Sequence, residues 1–86
     1  MLSNEFKYII KNETDEQINE RISRYKYESL ADEKILKALS GLIVCDKEIY
    51  DYVASKYKES REKLIFCKRV LCARRAKEVR ELDVSL

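Results

Sequence analysis

Apolar residues along this chain recur at steps of three and four, the spacing of one face of an α-helix. The clearest run lies in the second half, where Tyr50, Val53, Tyr57, Ser60, Leu64, Cys67 and Leu71 alternate those two steps without a slip. This is the heptad seam of a helix that pairs with another helix, and Arg74 and Glu78 continue it in polar form. Asp46 is placed to cap the element, Glu48 falls in its first turn, and no residue from Lys47 onward must break it. The pattern predicts one long C-terminal helix over about 47–82. The alternative is a break in the polar stretch 55–61, with Ser60 as a new cap and the chain folding back on itself. An unbroken helix would be about 54 Å long, whereas a compact domain of this size has a radius of gyration of about 12 Å. The helix is therefore expected to overhang its own domain, and the seam to need a partner helix.

Earlier elements are shorter. Leu2, Phe6, Ile9 and Ile10 have helical spacing with Ser3 or Asn4 as cap, although Phe6 to Ile10 would also suit a strand. Thr14-Asp15-Glu16-Gln17 is a capping box, and Ile18, Ile22 and Tyr25 define a second helix to about Tyr27. Ser29 to Asp32 is expected to start a third helix, with Ile35, Leu36, Leu39, Leu42 and Ile43 as its buried stripe. Gly41 either ends that helix or lets another approach closely. Between Leu64 and Ala73 apolar residues occupy nearly every face, so that segment should be enclosed on several sides.

Composition agrees with this reading. The 86 residues include one glycine and no proline, with 45% hydrophobic and 40% charged side chains and a net charge of +2. The apolar content is too high for disorder, and the lack of turn residues argues against a β-sandwich or barrel. The expected fold is all-α: a single domain over 1–86, a small helical bundle or helical hairpin dominated by the C-terminal helix. The opening segment MLSNEFKYIIKNETDE has neither a basic nor an apolar leader region, and the apolar runs reach only four residues. Three cysteines (Cys45, Cys67, Cys72) without paired spacing point to a reducing cytoplasm rather than a disulfide framework.

Histidine is absent, which removes the commonest general base and metal ligand. There is no glycine-rich phosphate loop, no nucleophile with an identifiable base and no Glu-x-x-His motif, so no catalytic, cofactor or metal site and no small-molecule substrate is expected. Cys67 and Cys72 are five apart on a helix and cannot chelate one ion together; small buried side chains are the expected role of all three cysteines.

Charge is distributed unevenly. Residues 1–55 carry 8 basic and 11 acidic side chains, whereas residues 56–80 carry 10 and 3. On the long helix Lys58, Arg61, Lys68, Arg69 and Arg80 fall within an arc of about 120°, with Arg75 at its edge. Such a stripe suits a row of phosphates. Equally, cations solvate exposed faces, favour helix C-termini, and could pair with the acidic first half of the chain. Six tyrosines are many for this length; they line core edges or anchor interfaces, and Tyr52, lying off the seam, is the best outward contact.

Two functional readings follow. The leading one is a protein-binding adaptor, inhibitor or assembly factor that self-associates or pairs with a target through Tyr50, Val53, Tyr57, Leu64, Cys67 and Leu71. The other is a nucleic-acid-binding accessory protein using Lys58, Arg61, Lys68, Arg69, Arg75 and Arg80. Size and Lys, Ile and Tyr richness are compositional traits shared with small accessory proteins of phages and mobile elements.

Overall fold

A computed structural model describes residues 2–42 and 46–85, and the side chains of 2–42 and 46–80. Three helices follow in order: α1 (Asn4–Asn12), α2 (Asp15–Ser40) and α3 (Lys47–Ser85). No strand occurs among the described residues. The fold is all-α, with the long C-terminal helix that the heptad pattern predicts.

Local chemistry accounts for the helix ends. The Ser3 hydroxyl accepts from the Phe6 amide and starts α1, which rules out the strand alternative for this segment. Thr14 and Gln17 form the reciprocal capping box of α2: the Gln17 amide donates to Thr14 Oγ1 at 3.2 Å, and the Thr14 amide donates to Gln17 Oε1 at 2.9 Å. Asp46 accepts from the Glu48 amide at 2.9 Å at the head of α3. Gly41 closes α2 with φ −81° and ψ −7°, a conformation open to any residue. A Cβ built there would meet only the carbonyls of Ala38 and Lys37, at 3.6 and 3.7 Å. The glycine therefore marks a helix end, and no helix packs against it closely enough to require its lack of a side chain.

One boundary differs from the sequence expectation. The helices expected to end near Tyr27 and to begin at Ser29 are a single element of 26 residues. Ser29 does not cap: its hydroxyl donates to the Lys26 carbonyl at 3.0 Å, and the residue is buried four positions after Tyr25 on the same face. With no glycine or proline in this stretch, the two periodic segments fuse.

α2 and α3 form an antiparallel hairpin. Arg74 of α3 lies beside Asp15 at the start of α2, while the end of α2 connects to the start of α3. The core is narrow: Ile10, Ile18, Tyr25, Leu64 and Cys67 are buried, with Phe6, Ile22, Phe66, Val70 and Leu71 packed around them. α3, about 58 Å long at 1.5 Å per residue, continues roughly ten residues past the level where α2 begins. The molecule measures 64 × 23 × 17 Å with a radius of gyration of 17.3 Å, against about 12 Å for a compact domain.

The seam of α3 meets its helix partner within the chain. Ser60, Leu64 and Cys67 are buried, and Val53, Tyr57 and Leu71 half-buried, on the face turned to α2; Tyr50, nearer the hairpin tip, is more exposed. Ser60 thus sits inside an unbroken helix, which excludes the proposed break. Arg74 prolongs the seam with a different chemistry. Its guanidinium donates to the Lys11 and Glu13 carbonyls at 2.9 and 2.8 Å and to Asp15 at 2.6 Å, closing the α1–α2 corner onto α3. Opposite it, Arg21 pairs with Glu13 and donates to the Tyr25 hydroxyl at 2.9 Å. Partial burial works against the Arg21 charge, but these two partners outweigh it and hold its pKa above the usual value.

Candidate interaction surfaces

Two surfaces stand out, and they lie on different sides of α3. The first is the groove that α1 only half fills. α1 runs along the cleft between α2 and α3, with Phe6 packed against Tyr25 and Phe66 at ring-centroid distances of 6.3 and 6.1 Å. Lys63 reaches over the rings of Phe6 and Tyr25 and pairs with Glu59 at 2.9 Å. That partner holds the Glu59 carboxyl below the usual range. Past the start of α1 the cleft continues as an open groove of about 410 Å³, lined by Ala31, Asp32, Lys56, Glu59, Ser60 and Lys63 among others. Farther along, helical spacing puts Ile35 and Leu42 of α2 and Ile49 and Tyr52 of α3 on the same flank. They are 46%, 56%, 52% and 61% exposed, respectively.

The expected buried stripe of the second half of α2 is therefore only partly buried. Leu36 and Leu39 are half-covered by α3, Ile35 and Leu42 are exposed, and Ile43 lies outside the described residues. A nine-residue α1 is too short to cover a hairpin about 39 Å long, so the tip is two helices wide where the base is three. Tyr52 faces outward, as its position off the seam implies, with Lys56 over its ring at 4.8 Å.

The second surface is the outer face of α3. Lys58, Arg61, Lys68, Arg69, Arg75 and Arg80 are all exposed. Between them the same arc carries Ile65, Cys72, Ala76 and Val79, also exposed, with no aromatic residue and one carboxylate, Glu62, at the azimuth of Arg80. Toward α1, Lys7 joins Lys58 and Arg69, with Glu62 among them, around an open depression of about 500 Å³ floored by Leu2, Ile65 and Phe66. The expectation that these cations pair with the acidic first half of the chain is not met among the described residues. The ion pairs seen there use Arg21, Lys37, Lys63 and Arg74 instead.

The apolar girdle resolves into two sides. Leu64 and Cys67 are buried and Phe66, Val70 and Leu71 are packed on the core, while Ile65, Cys72 and Ala73 face outward. Of the cysteines, Cys67 is fully buried, and burial pushes its thiol pKa up. Cys72 is exposed, contrary to the expectation of a buried small residue, and Cys45 lies outside the described residues. Among the described residues no three Cys, Asp or Glu side chains converge as metal ligands, and no helix is long and apolar enough to cross a membrane.

Compared with known proteins, the chain matches no protein family, and no curated protein or solved structure shows significant similarity to it.

Proposed function

We propose that this chain is a non-enzymatic protein-interaction module that self-associates through the open groove at the tip of its helical hairpin. The observation that carries the reading is surface area. A folded monomer of 10.2 kDa is expected to expose about 5,300 Å², whereas this chain exposes 7060 Å². The excess, about 1,700 Å² per chain, is about twice what each partner buries in a standard protein–protein interface. Part of it belongs to the overhanging end of α3, and the rest lies along the half-covered hairpin.

A second copy is the occupant the groove fits best. Its lining carries charges of both signs, Glu28, Asp32 and Glu59 beside Lys56 and Lys63, around Tyr27 and Ala31, and the exposed Ile35, Ile49 and Tyr52 lie farther along the same flank. A patch carrying both signs is self-complementary across a twofold axis, where each residue meets its counterpart's neighbour. Two hairpins apposed in this way give the tip the extra helical layer it lacks, as in a four-helix bundle. The sequence seam, Tyr50 through Leu71, then works indirectly, by holding α3 against α2 so that the groove keeps its shape.

Light scattering across a concentration series tests this. The wild type is expected at about twice 10.2 kDa, and Ile35→Asp combined with Tyr52→Asp at the monomer mass with an unchanged helical circular dichroism spectrum. A wild-type monomer that persists at millimolar concentration overturns the reading.

A further inference from the structure

The outer face of α3 has no role in that assembly, because it points away from the groove. We propose that it is a docking surface for the phosphate backbone of double-stranded nucleic acid. From Lys58 to Arg80 the face runs about 33 Å along one unbroken helix, close to one turn of duplex DNA. Six cations stand on it against one carboxylate, Glu62, at the azimuth of Arg80, and among the described residues no ion pair to these six cations is seen. A rigid row of cations laid along a duplex meets phosphates where the two backbones cross it, and each phosphate neutralised releases a condensed counterion.

Three features select the duplex over other polyanions. Single-strand binders stack bases on aromatic side chains, and this face has none; the exposed tyrosines Tyr8, Tyr27, Tyr50 and Tyr52 are elsewhere. Insertion into a lipid surface needs a broad apolar face beside the cations, whereas among the described residues the only large apolar ones exposed on this face are Ile65 and Val79, 14 positions apart. An acidic peptide would be held best in a concave site, and most of this face is the convex side of a lone helix. The interleaved Ile65, Cys72, Ala76 and Val79 are small enough to let the cations reach past them. With no amide side chain between Lys58 and Arg80 to read adenine edges, binding follows the backbone and shows little sequence preference.

The inference is tested with fluorescence-labelled duplexes of two unrelated sequences, titrated with the full chain at several salt concentrations. If about four phosphates are neutralised per chain, affinity should fall roughly 100-fold between about 50 and about 200 mM salt, and equally for both sequences. Lys68→Gln with Arg75→Gln should lower the log–log salt slope by about two units. Lys26→Gln with Lys34→Gln, which removes the same charge from exposed positions of α2, should leave the slope unchanged. Thermal melts confirm that both variants fold, and their mass by light scattering reports the groove separately, so failure of one reading does not carry the other with it. Equal loss in both double variants, absence of binding at low salt, or tighter binding to single strands, polyglutamate or anionic vesicles than to the duplex overturns the proposal.

Discussion

Replacing Arg74 with glutamine should cost this small fold a large share of its stability, while replacing Asp15 with asparagine should cost little. The ion pair between them is short, at 2.6 Å, but Asp15 is 60% exposed, and a pair so open to solvent contributes no more than about 1 kcal/mol. The other two bonds of Arg74 matter more. They go to the carbonyls of Lys11 and Glu13, at the end of α1 and in its link to α2, and the charged donor stands in for helical amides that are missing there. Hydrogen bonds to charged groups contribute about 1.5–3 kcal/mol each; discounted for the 29% exposure of the arginine side chain, the pair of them is worth about 2 kcal/mol. A domain of this length has roughly 4–13 kcal/mol in total. With an unfolding entropy of about 0.18 kcal/mol/K for this length, the loss should lower Tm by roughly 10 °C. Thermal melts and urea titrations of both variants measure the contrast. If Arg74→Gln and Asp15→Asn are equally mild, the corner is not held by Arg74. If they are equally severe, the exposed carboxylate contributes far more than its solvation permits.

Four further outcomes follow from burial and geometry. Leu64→Ala, at the centre of the seam and 5% exposed, should cost about 2–3 kcal/mol, whereas Leu30→Ala, 49% exposed on α2, should cost under about 1 kcal/mol in the same urea titration. In a Cys45→Ser background, a colourless-to-yellow thiol reagent at mildly alkaline pH should label Cys72 at once and Cys67 only on unfolding; two fast thiols in the folded protein would contradict the packing of Cys67. Because burial raises the Cys67 pKa, that residue's contribution is complete below the ordinary thiol value and is lost as pH rises through the folded one, so Cys67→Ala should flatten the alkaline decline in stability. Gly41→Ala should leave Tm unchanged or raise it slightly, since its backbone is helical and a Cβ has room; a marked drop would mean that the helix end needs glycine after all.

What the sequence made legible was whatever depended on local order. The capping box at Thr14, the cap at Asp46 and the seam from Val53 to Leu71 are each set by residues within a turn or two of one another, and each stands in the structure as its spacing implies. The junction at Ser29 is not legible locally, because a serine before an acidic residue signals a cap only when the preceding chain leaves the helix. Here burial of Tyr25 and Ser29 on one face keeps it in. Arg74 illustrates the same limit from the other side: its spacing marked it as a seam position, yet its bonds reach residues some sixty positions away, which no periodicity encodes.

The two candidate surfaces differ in the same way. Exposure of the six α3 cations was readable, because residues off a seam face solvent. The groove was not readable, since Ile35 and Leu42 have the spacing of a buried stripe and are left open only because α1 ends its reach too early. An apolar stripe states that something should cover it, and the sequence does not state what. The heptad seam needs a partner helix, and α2 supplies one within the chain. In the folded hairpin the uncovered apolar residues lie toward the tip, at Ile35, Leu42, Ile49 and Tyr52. Substitutions at the seam should therefore unfold the chain, whereas, on the proposed self-association, substitutions at the tip should only separate its copies.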